Sequence, residues 1–350
     1  MAKYYDITNL KRANAPWNIL LGQRANGKSY QVKKTCIEDA LNGKKFIYLR
    51  RWKADLKESY VTSYFGDAPV SKISNGEWQS IKAKAGRIYL VGNKKVKGKS
   101  VEVKQEIGRY CALNEYERYK SQTFIDYDNI IYEEFITDDI YIADEPRLLQ
   151  QFVSTIFRLN KGHVYLVGNT LTRVCPYFHE WCLEGVLKQK QGTIEIYHYH
   201  TENEIIDIAV EYCSNTQNKN NMFFGQAAKQ IVSGEWDVKE VPKLPRLFYE
   251  YEMAYELLIE YQSFKFVLQL LVEPKDGGMI CYVYPYTKDR KIYRKITNDF
   301  SDLPNVTSKL DRDKRPELLI IRCLTLDKVC YSDNLTGSDF KKVLSNMDIY

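Results

Sequence analysis

The chain has 350 residues, and its 51 Lys and Arg stand against 45 Asp and Glu, so a formal net charge of +6 is spread over a sequence in which 27% of positions are charged. That near balance excludes a polybasic, histone-like binder, and a composition that is 44% hydrophobic and 13% aromatic excludes a disordered chain. At roughly 100–200 residues per domain, the length predicts two or three domains, each able to bury its own core.

Eight cysteines stand singly, with no C-x-x-C pair. That spacing predicts reduced, mostly buried thiols rather than a disulfide framework or a zinc site. The opening Met1-Ala-Lys-Tyr-Tyr-Asp6 lacks the apolar stretch of a signal peptide. No later segment has the roughly eighteen uninterrupted apolar residues of a spanning helix, so the expectation is a soluble cytoplasmic protein with no membrane partner.

In chain order, Trp17-Asn-Ile-Leu-Leu-Gly22 reads as a buried strand, the following loop runs into a helix over 29–41, and Asn42-Gly43 stops that helix before a second strand at 45–51. This is one βαβ unit. The runs 87–91 and 100–104 flank a Gly-Asn-Lys-Lys turn and predict a hairpin. Buried strands follow at 129–133 and 163–168, separated by a helix with Leu148, Leu149, Phe152, Ile156 and Phe157 on one side. A last strand of this domain is expected at 193–199. The stretch from Thr201 to about Leu247 is polar and reads as a helix-prone connector, with 214–221 its most linker-like part. Strands at 264–272, 279–284 and 291–296, with turn signals at 275–278 and 287–289 and the apolar run 318–323 behind them, predict a second α/β or α+β unit. The domains are therefore expected at 1–200, 201–247 and 248–350.

Gly22-Gln23-Arg24-Ala25-Asn26-Gly27-Lys28-Ser29 satisfies G-x-x-x-x-G-K-[ST] between a strand and a helix. Two glycines let the backbone N–H groups turn inward, and the helix N-terminus adds partial positive charge for the phosphates of ATP. Lys28 would hold the β- and γ-phosphates and Ser29 would sit on Mg²⁺. The acids at the end of Ile130-Ile-Tyr-Glu133-Glu134 suit metal binding by Glu133 and orientation of the attacking water by Glu134; Glu133 stands where many ATPases of this kind carry Asp. Asn169, closing the strand 163–168, reads equally as a γ-phosphate sensor or as a turn residue. Arg158 reads from the residues alone as a surface arginine or as a finger into a neighbouring subunit. His198 and His200 alternate on one strand face without a further ligand nearby, which fits a strand face better than a metal site.

The residues 22–30, Phe46-Ile-Tyr-Leu-Arg50-Arg51-Trp-Lys53, Tyr132-Glu-Glu-Phe-Ile136, Phe157-Arg158, Gly168-Asn169 and Cys175-Pro-Tyr-Phe178 occur in order, and together they resemble the DNA-packaging ATPases of phi29-like bacteriophages. The resemblance implies an additional-strand, catalytic-glutamate P-loop ATPase domain with a mainly parallel sheet, a small helical linker domain, and a C-terminal RNase H-like α/β domain that has lost its nuclease acids. It implies a homopentameric ring at the portal vertex of a procapsid in the host cytoplasm, driving double-stranded DNA inward with ATP and Mg²⁺, beside a portal or connector and, in some phages, a structural RNA. Carried onto this chain, it makes Glu134 catalytic, Arg158 a finger acting in trans, Arg24 the arginine found inside this loop in packaging motors, and Lys53 a basic residue near the subunit interface.

Thr137-Asp138-Asp139 departs from the basic residues that relatives carry after the catalytic glutamate and would repel DNA. The grip on DNA is therefore expected first at Arg118 and Lys120, and second at Lys94, Lys95 and Lys97. Glu273, Asp276, Asp289 and Asp299 form no two-metal pattern, so no nuclease activity is expected; Lys291, Arg294 and Lys295 suit contact with phosphate. A P-loop helicase or terminase-type nuclease, and a switch that binds ATP without hydrolysing it, remain rival readings.

Overall fold

The computed structural model describes residues 5–96, 99–158, 161–202, 204–214, 235–273, 277–299 and 306–349. They form two compact units, Met1–Leu171 with Gly185–Glu235, and Thr172–Glu184 with Trp236–Tyr350.

The first unit runs α1 (Thr8–Ala13), β1 (Trp17–Leu21), α2 (Lys28–Leu41), β2 (Lys45–Arg50), α3 (Glu58–Tyr64), α4 (Val70–Ile73), β3 (Ser80–Lys84), β4 (Arg87–Val96), β5 (Lys99–Ala112), β6 (Tyr127–Glu133), α5 (Glu145–Ile156), β7 (His163–Val167), β8 (Thr193–His200) and β9 (Ile205–Tyr212). Its nine strands lie in the order β3-β4-β5-β2-β6-β7-β1-β9-β8. The six from β5 to β9 are mutually parallel, and the outer strands are antiparallel. Strands covered on both faces are apolar without alternation, and β1, β2 and β7 each bury four consecutive residues. Helix α2 turns Val32, Cys36, Ile37 and Ala40 inward as one stripe, where they join Leu20, Phe46 and Ile131 in the core.

β7 lies between β1 and β6, so the acidic strand is one removed from the strand that feeds the glycine loop rather than directly beside it. That inserted strand is the additional strand the resemblance implies. The turn expected at 92–95 lies inside β4, and β3 extends the hairpin into a three-stranded antiparallel wing. β5 passes from this wing to the parallel sheet: Lys99–Arg109 pair with β4 and Gly108–Ala112 pair with Phe46–Arg50.

The helical linker expected at 201–247 is corrected at its start. Ile205–Tyr212 is β9, which pairs in parallel register with β1 along Trp17–Leu21. Asp207 and Glu211 disguise an otherwise apolar strand whose last five residues are buried. The linker-like run 215–221 and Lys97 lie outside the described residues.

The second unit holds α6 (Pro176–Glu180), β10 (Glu252–Tyr261), β11 (Phe264–Val272), β12 (Met279–Pro285), β13 (Lys295–Thr297), β14 (Val306–Thr307), α7 (Arg315–Thr325), β15 (Val329–Tyr331) and α8 (Asn334–Asn346). Its strands lie in the order β14-β13-β10-β11-β12-β15. β10 has no counterpart among the expected strands, because Glu252, Glu256 and Glu260 recur every fourth residue and imitate a helix face. The two-residue turn after Tyr261, with Gln262 at φ 55°, makes it a strand by pairing it with β11. The strand expected at 291–296 shortens to β13, and the apolar run 318–323 is part of α7. All eight cysteines are free thiols, and only Cys182 is exposed.

A Cβ at Gly108 would stand 2.3 Å from the Phe46 carbonyl oxygen, a backbone atom held in the sheet. Gly108→Ala should therefore cost about 1–3 kcal/mol, as overpacking does, read as a lower denaturation midpoint; a wild-type midpoint would show that β5 can part from β2 without cost.

Candidate active site

The loop from β1 to α2 is shaped by three residues in the left-handed region: Gly22 at φ 146°, Ala25 at 59° and Gly27 at 99°. A Cβ on Gly22 would meet Asn26 Nδ2 at 3.2 Å and the Cys213 Cβ at 3.4 Å, so the strained φ and the close approach both require glycine. Gly27 caps α2 with no side-chain acceptor of its own, and the Lys28 N–H that opens the helix donates to Asn26 Oδ1 at 3.1 Å.

The Lys28 ammonium is buried and turned back on its own loop. It donates to the carbonyls of Gln23 at 2.6 Å and Gly22 at 3.1 Å, and approaches Asn26 Oδ1 at 3.3 Å and Asn169 Oδ1 at 3.4 Å. Burial lowers its pKa to about 8, with the nearby Glu133 carboxylate opposing that shift. The lysine thus fills, with protein oxygens, the place that phosphate oxygens would take.

Glu133 ends β6 and is 6% exposed. Its Oε1 accepts from the Tyr64 hydroxyl at 2.6 Å. Desolvation pushes its pKa up, against the hydrogen bonds from Tyr64 and Ser29 and the charges of Lys28 and Arg50. Glu134 follows at φ 58°, which swings its side chain out of the strand and into the cleft, where Arg50 Nη2 holds Oε2 at 2.6 Å. Asn169 follows β7 and reaches Lys28 as above.

A cleft of about 690 Å³ is lined by Arg24–Lys33 except Val32, by Arg50, Tyr64 and Asp67, and by Glu133, Glu134 and Asn169. The structure thus brings together Lys28, Ser29, Glu133, Glu134, Asn169 and Arg24, from three segments of the sequence. Gly22 and Gln23 form the loop behind Lys28. Arg158 does not line the cleft; it is exposed and donates to the Lys120 carbonyl at 3.1 Å. Lys53 pairs with Glu115 at 3.4 Å, Arg118 with Glu115 at 2.7 Å, Lys120 with Glu117 at 2.6 Å and Lys94 with Glu77 at 3.9 Å. His198 pairs with Asp207 at 2.7 Å on the exposed edge of the sheet.

Sequence reasoning gave no role to Arg50, Tyr64, Asp67 or the support behind the loop. Arg50 and Arg51 carried a signal, since two cations at the end of a buried strand need anionic partners. Arg51 forms a two-pronged ion pair with Glu145, at 2.7 and 3.0 Å. Behind the loop, Tyr5 N–H donates to the Asn26 carbonyl at 3.0 Å and the Tyr5 hydroxyl donates to Glu211 Oε2 at 2.5 Å.

A parallel sheet feeding a glycine loop into a helix, with two glutamates on β6 and an inserted β7, defines a P-loop NTPase domain with an additional strand. Residues 1–198 match the Podovirus DNA encapsidation protein (Gp16) family, to which the chain belongs. It is 29% identical over 167 residues to a DNA packaging protein of Bacillus phage B103, covering 46% of this chain and 46% of that protein, so the chain spans about half the length of the curated relative it matches. The bacteriophage Phi-29 viral genome packaging motor assembly shares the fold, with a TM-score of 0.56 at 17% identity over 97% of this chain and 99% of that one. The N-terminal domain of the DNA packaging ATPase from bacteriophage phi29 is 24% identical, with a TM-score of 0.44 over 59% of this chain and 95% of that one. No helix among the described residues is long and apolar enough to cross a membrane.

Burial raises Glu211 from its ordinary 4.5 to about 7, against the Tyr5 hydrogen bond. The native protein therefore binds more protons than the unfolded chain between those two values, and stability falls as pH rises through that window. Glu211→Gln, which keeps an acceptor for Tyr5, should melt a few degrees above wild type at pH 8 and level with it at pH 4.5; a gain that persists unchanged at low pH would show that charge is not its cause.

Proposed function

We propose that this chain is the ATP-hydrolysing subunit of a ring that drives double-stranded viral DNA into a preformed procapsid. The observation that carries the reading is the convergence of Lys28, Ser29, Glu133, Glu134 and Asn169 on one cleft at the C-terminal ends of parallel strands, where ligands of open α/β sheets bind.

ATP would exchange places with the loop oxygens around Lys28, giving the buried ammonium phosphate partners in their stead, while the N-terminus of α2, which lines the same cleft, adds its partial positive charge. The hard oxygen donors Ser29 and Glu133 suit Mg²⁺, since they are hydrogen-bonded to one another and Glu133 is a buried carboxylate at the cleft. When bound, Mg²⁺ neutralises charge building on the phosphates. Glu134 orients the attacking water and takes its proton; the Arg50 contact holds it back until that contact opens. Asn169, touching Lys28, senses the γ-phosphate end.

Arg158 acts in trans, since an exposed guanidinium held by one carbonyl costs little to redirect, and Lys53 stands near the subunit interface of what we take to be a pentamer. Arg118 and Lys120, with Lys94, Lys95 and Lys97 second, meet DNA. Their ion pairs to Glu115, Glu117 and Glu77 are of the exposed kind worth about 0–1 kcal/mol, so phosphates compete for them easily. The second unit docks to the portal, or to a structural RNA, at the portal vertex in the host cytoplasm.

Three variants separate these roles. Lys28→Ala should lose ATP binding. Glu134→Gln should bind ATP and hydrolyse it about 100-fold or more slowly. Arg158→Ala should bind ATP normally and lose DNA-stimulated hydrolysis, and wild-type stimulation would remove the finger assignment. Linear DNA incubated with the protein and Mn²⁺ should stay intact; cleavage that disappears in Glu273→Ala would favour a terminase-type nuclease instead.

A further inference from the structure

We infer that Tyr64 is a positioning residue for the metal-binding carboxylate: its hydroxyl fixes Glu133 in the orientation that offers the remaining oxygen to the ion bound with ATP. This rests on the reading of the cleft as an Mg²⁺–ATP site.

A glutamate stands where aspartate is common, and the extra methylene brings another rotatable bond that must be frozen before the carboxylate can serve as a ligand. The chain supplies a restraint from outside the motif. Tyr64, the last residue of α3, lines the cleft and donates to Glu133 Oε1 at 2.6 Å. The donor is itself held. The Tyr64 ring stacks on Tyr48 at 4.5 Å and meets Phe65 edge-on at 4.9 Å. The Lys33 ammonium lies 4.4 Å from the ring centroid, donates to the Tyr64 carbonyl at 2.7 Å and pairs with Asp67. Lys33 belongs to α2, so the helix that begins at the phosphate loop also fixes the residue that aims Glu133. The stack needs the ring and the lysine needs the ring and the carbonyl. The hydroxyl is the part of Tyr64 these contacts leave over, and its hydrogen bond goes to the carboxylate. Outer partners that orient a metal ligand are commonly worth about 10-fold or more in metal affinity.

The test is a binding titration on the full chain, with a fluorescent non-hydrolysable ATP analogue and increasing Mg²⁺. The proteins are wild type, Tyr64→Phe, Glu133→Gln and the double variant, with thermal melting as the fold control; Tyr64→Phe keeps the ring and its stack. Tyr64→Phe should bind the analogue without metal within about twofold of wild type and should need about 10-fold more Mg²⁺ for half-saturation. In the Glu133→Gln background the same change should add less than about twofold, since the two residues act as one unit. A wild-type Mg²⁺ requirement in Tyr64→Phe, with a raised one in Glu133→Gln, overturns the role of Tyr64 and leaves the site reading intact. Shifts that multiply in the double variant also overturn it, because Tyr64 would then act without Glu133. Analogue binding that ignores Mg²⁺ in wild type and Glu133→Gln alike overturns the metal site and this inference together.

Discussion

Glu145 has no exposed surface, and Arg51 is 5% exposed. A carboxylate and a guanidinium taken this far from water are tolerable only together, and breaking such a pair costs about 3–5 kcal/mol, a large part of the 5–15 kcal/mol that typically holds a domain folded. The pair is also what gives the cleft end of the sheet its shape. Arg51 follows β2 directly, and Glu145 opens α5, where a negative charge suits the helix N-terminus. The same guanidinium donates to the carbonyls of Glu134 at 3.1 Å and Phe135 at 2.7 Å. Glu145 in turn accepts from the Tyr132 hydroxyl at 2.6 Å and the Ile142 N–H at 2.9 Å. The backbone on both sides of Glu134 is thereby tied to β2 and α5, and the left-handed turn that presents the Glu134 side chain is over-determined by its surroundings, which is how strained functional residues persist.

With that frame fixed, the charges of the cleft are arranged as pairs that can be exchanged. Lys28 is bound by loop oxygens, Glu134 by Arg50, Glu133 by Tyr64 and Ser29, and Lys33 by Asp67. Each charge has a protein partner within the cleft. Had these groups been left bare, the cleft would carry the desolvation cost of several buried charges; had they been paired as firmly as Arg51 and Glu145, nothing could displace them. Arg50 and Arg51 are neighbours in sequence and differ in this respect because alternate residues at the end of a strand face opposite sides of the sheet.

The parts of the molecule legible in the sequence are those where one local rule decides the structure. Buried parallel strands announce themselves as apolar runs, and the glycine loop has a recognisable spacing, so β1, α2, β2, β6 and β7 could be read directly, as could the gathering of Lys28, Ser29, Glu133 and Glu134 at one cleft. What could not be read was decided by tertiary partners. β9 needs β1 beside it before Asp207 and Glu211 make sense in a strand. β10 carries a helix-like glutamate period that its pairing with β11 overrides. Tyr64 lies 69 positions from Glu133, and no local pattern distinguishes it from the chain's other tyrosines; only the fold brings its hydroxyl to the carboxylate.

The position of β9 also changes where the first unit ends. An end at residue 200 would leave the hydrogen-bonding edge of β1 open along Trp17–Leu21, the strand that delivers the phosphate loop. It would remove Glu211, and with it the partner of the Tyr5 hydroxyl, so that the Tyr5 N–H holding the Asn26 carbonyl would be carried by a segment with one anchor fewer. It would remove Cys213, whose Cβ closes the space beneath Gly22 and whose N–H donates to the Leu21 carbonyl at 2.9 Å. The loop that reads as a self-contained motif is therefore completed from below by a strand nearly two hundred residues away in sequence, and the conformation its glycines permit becomes the conformation it holds because that strand is there.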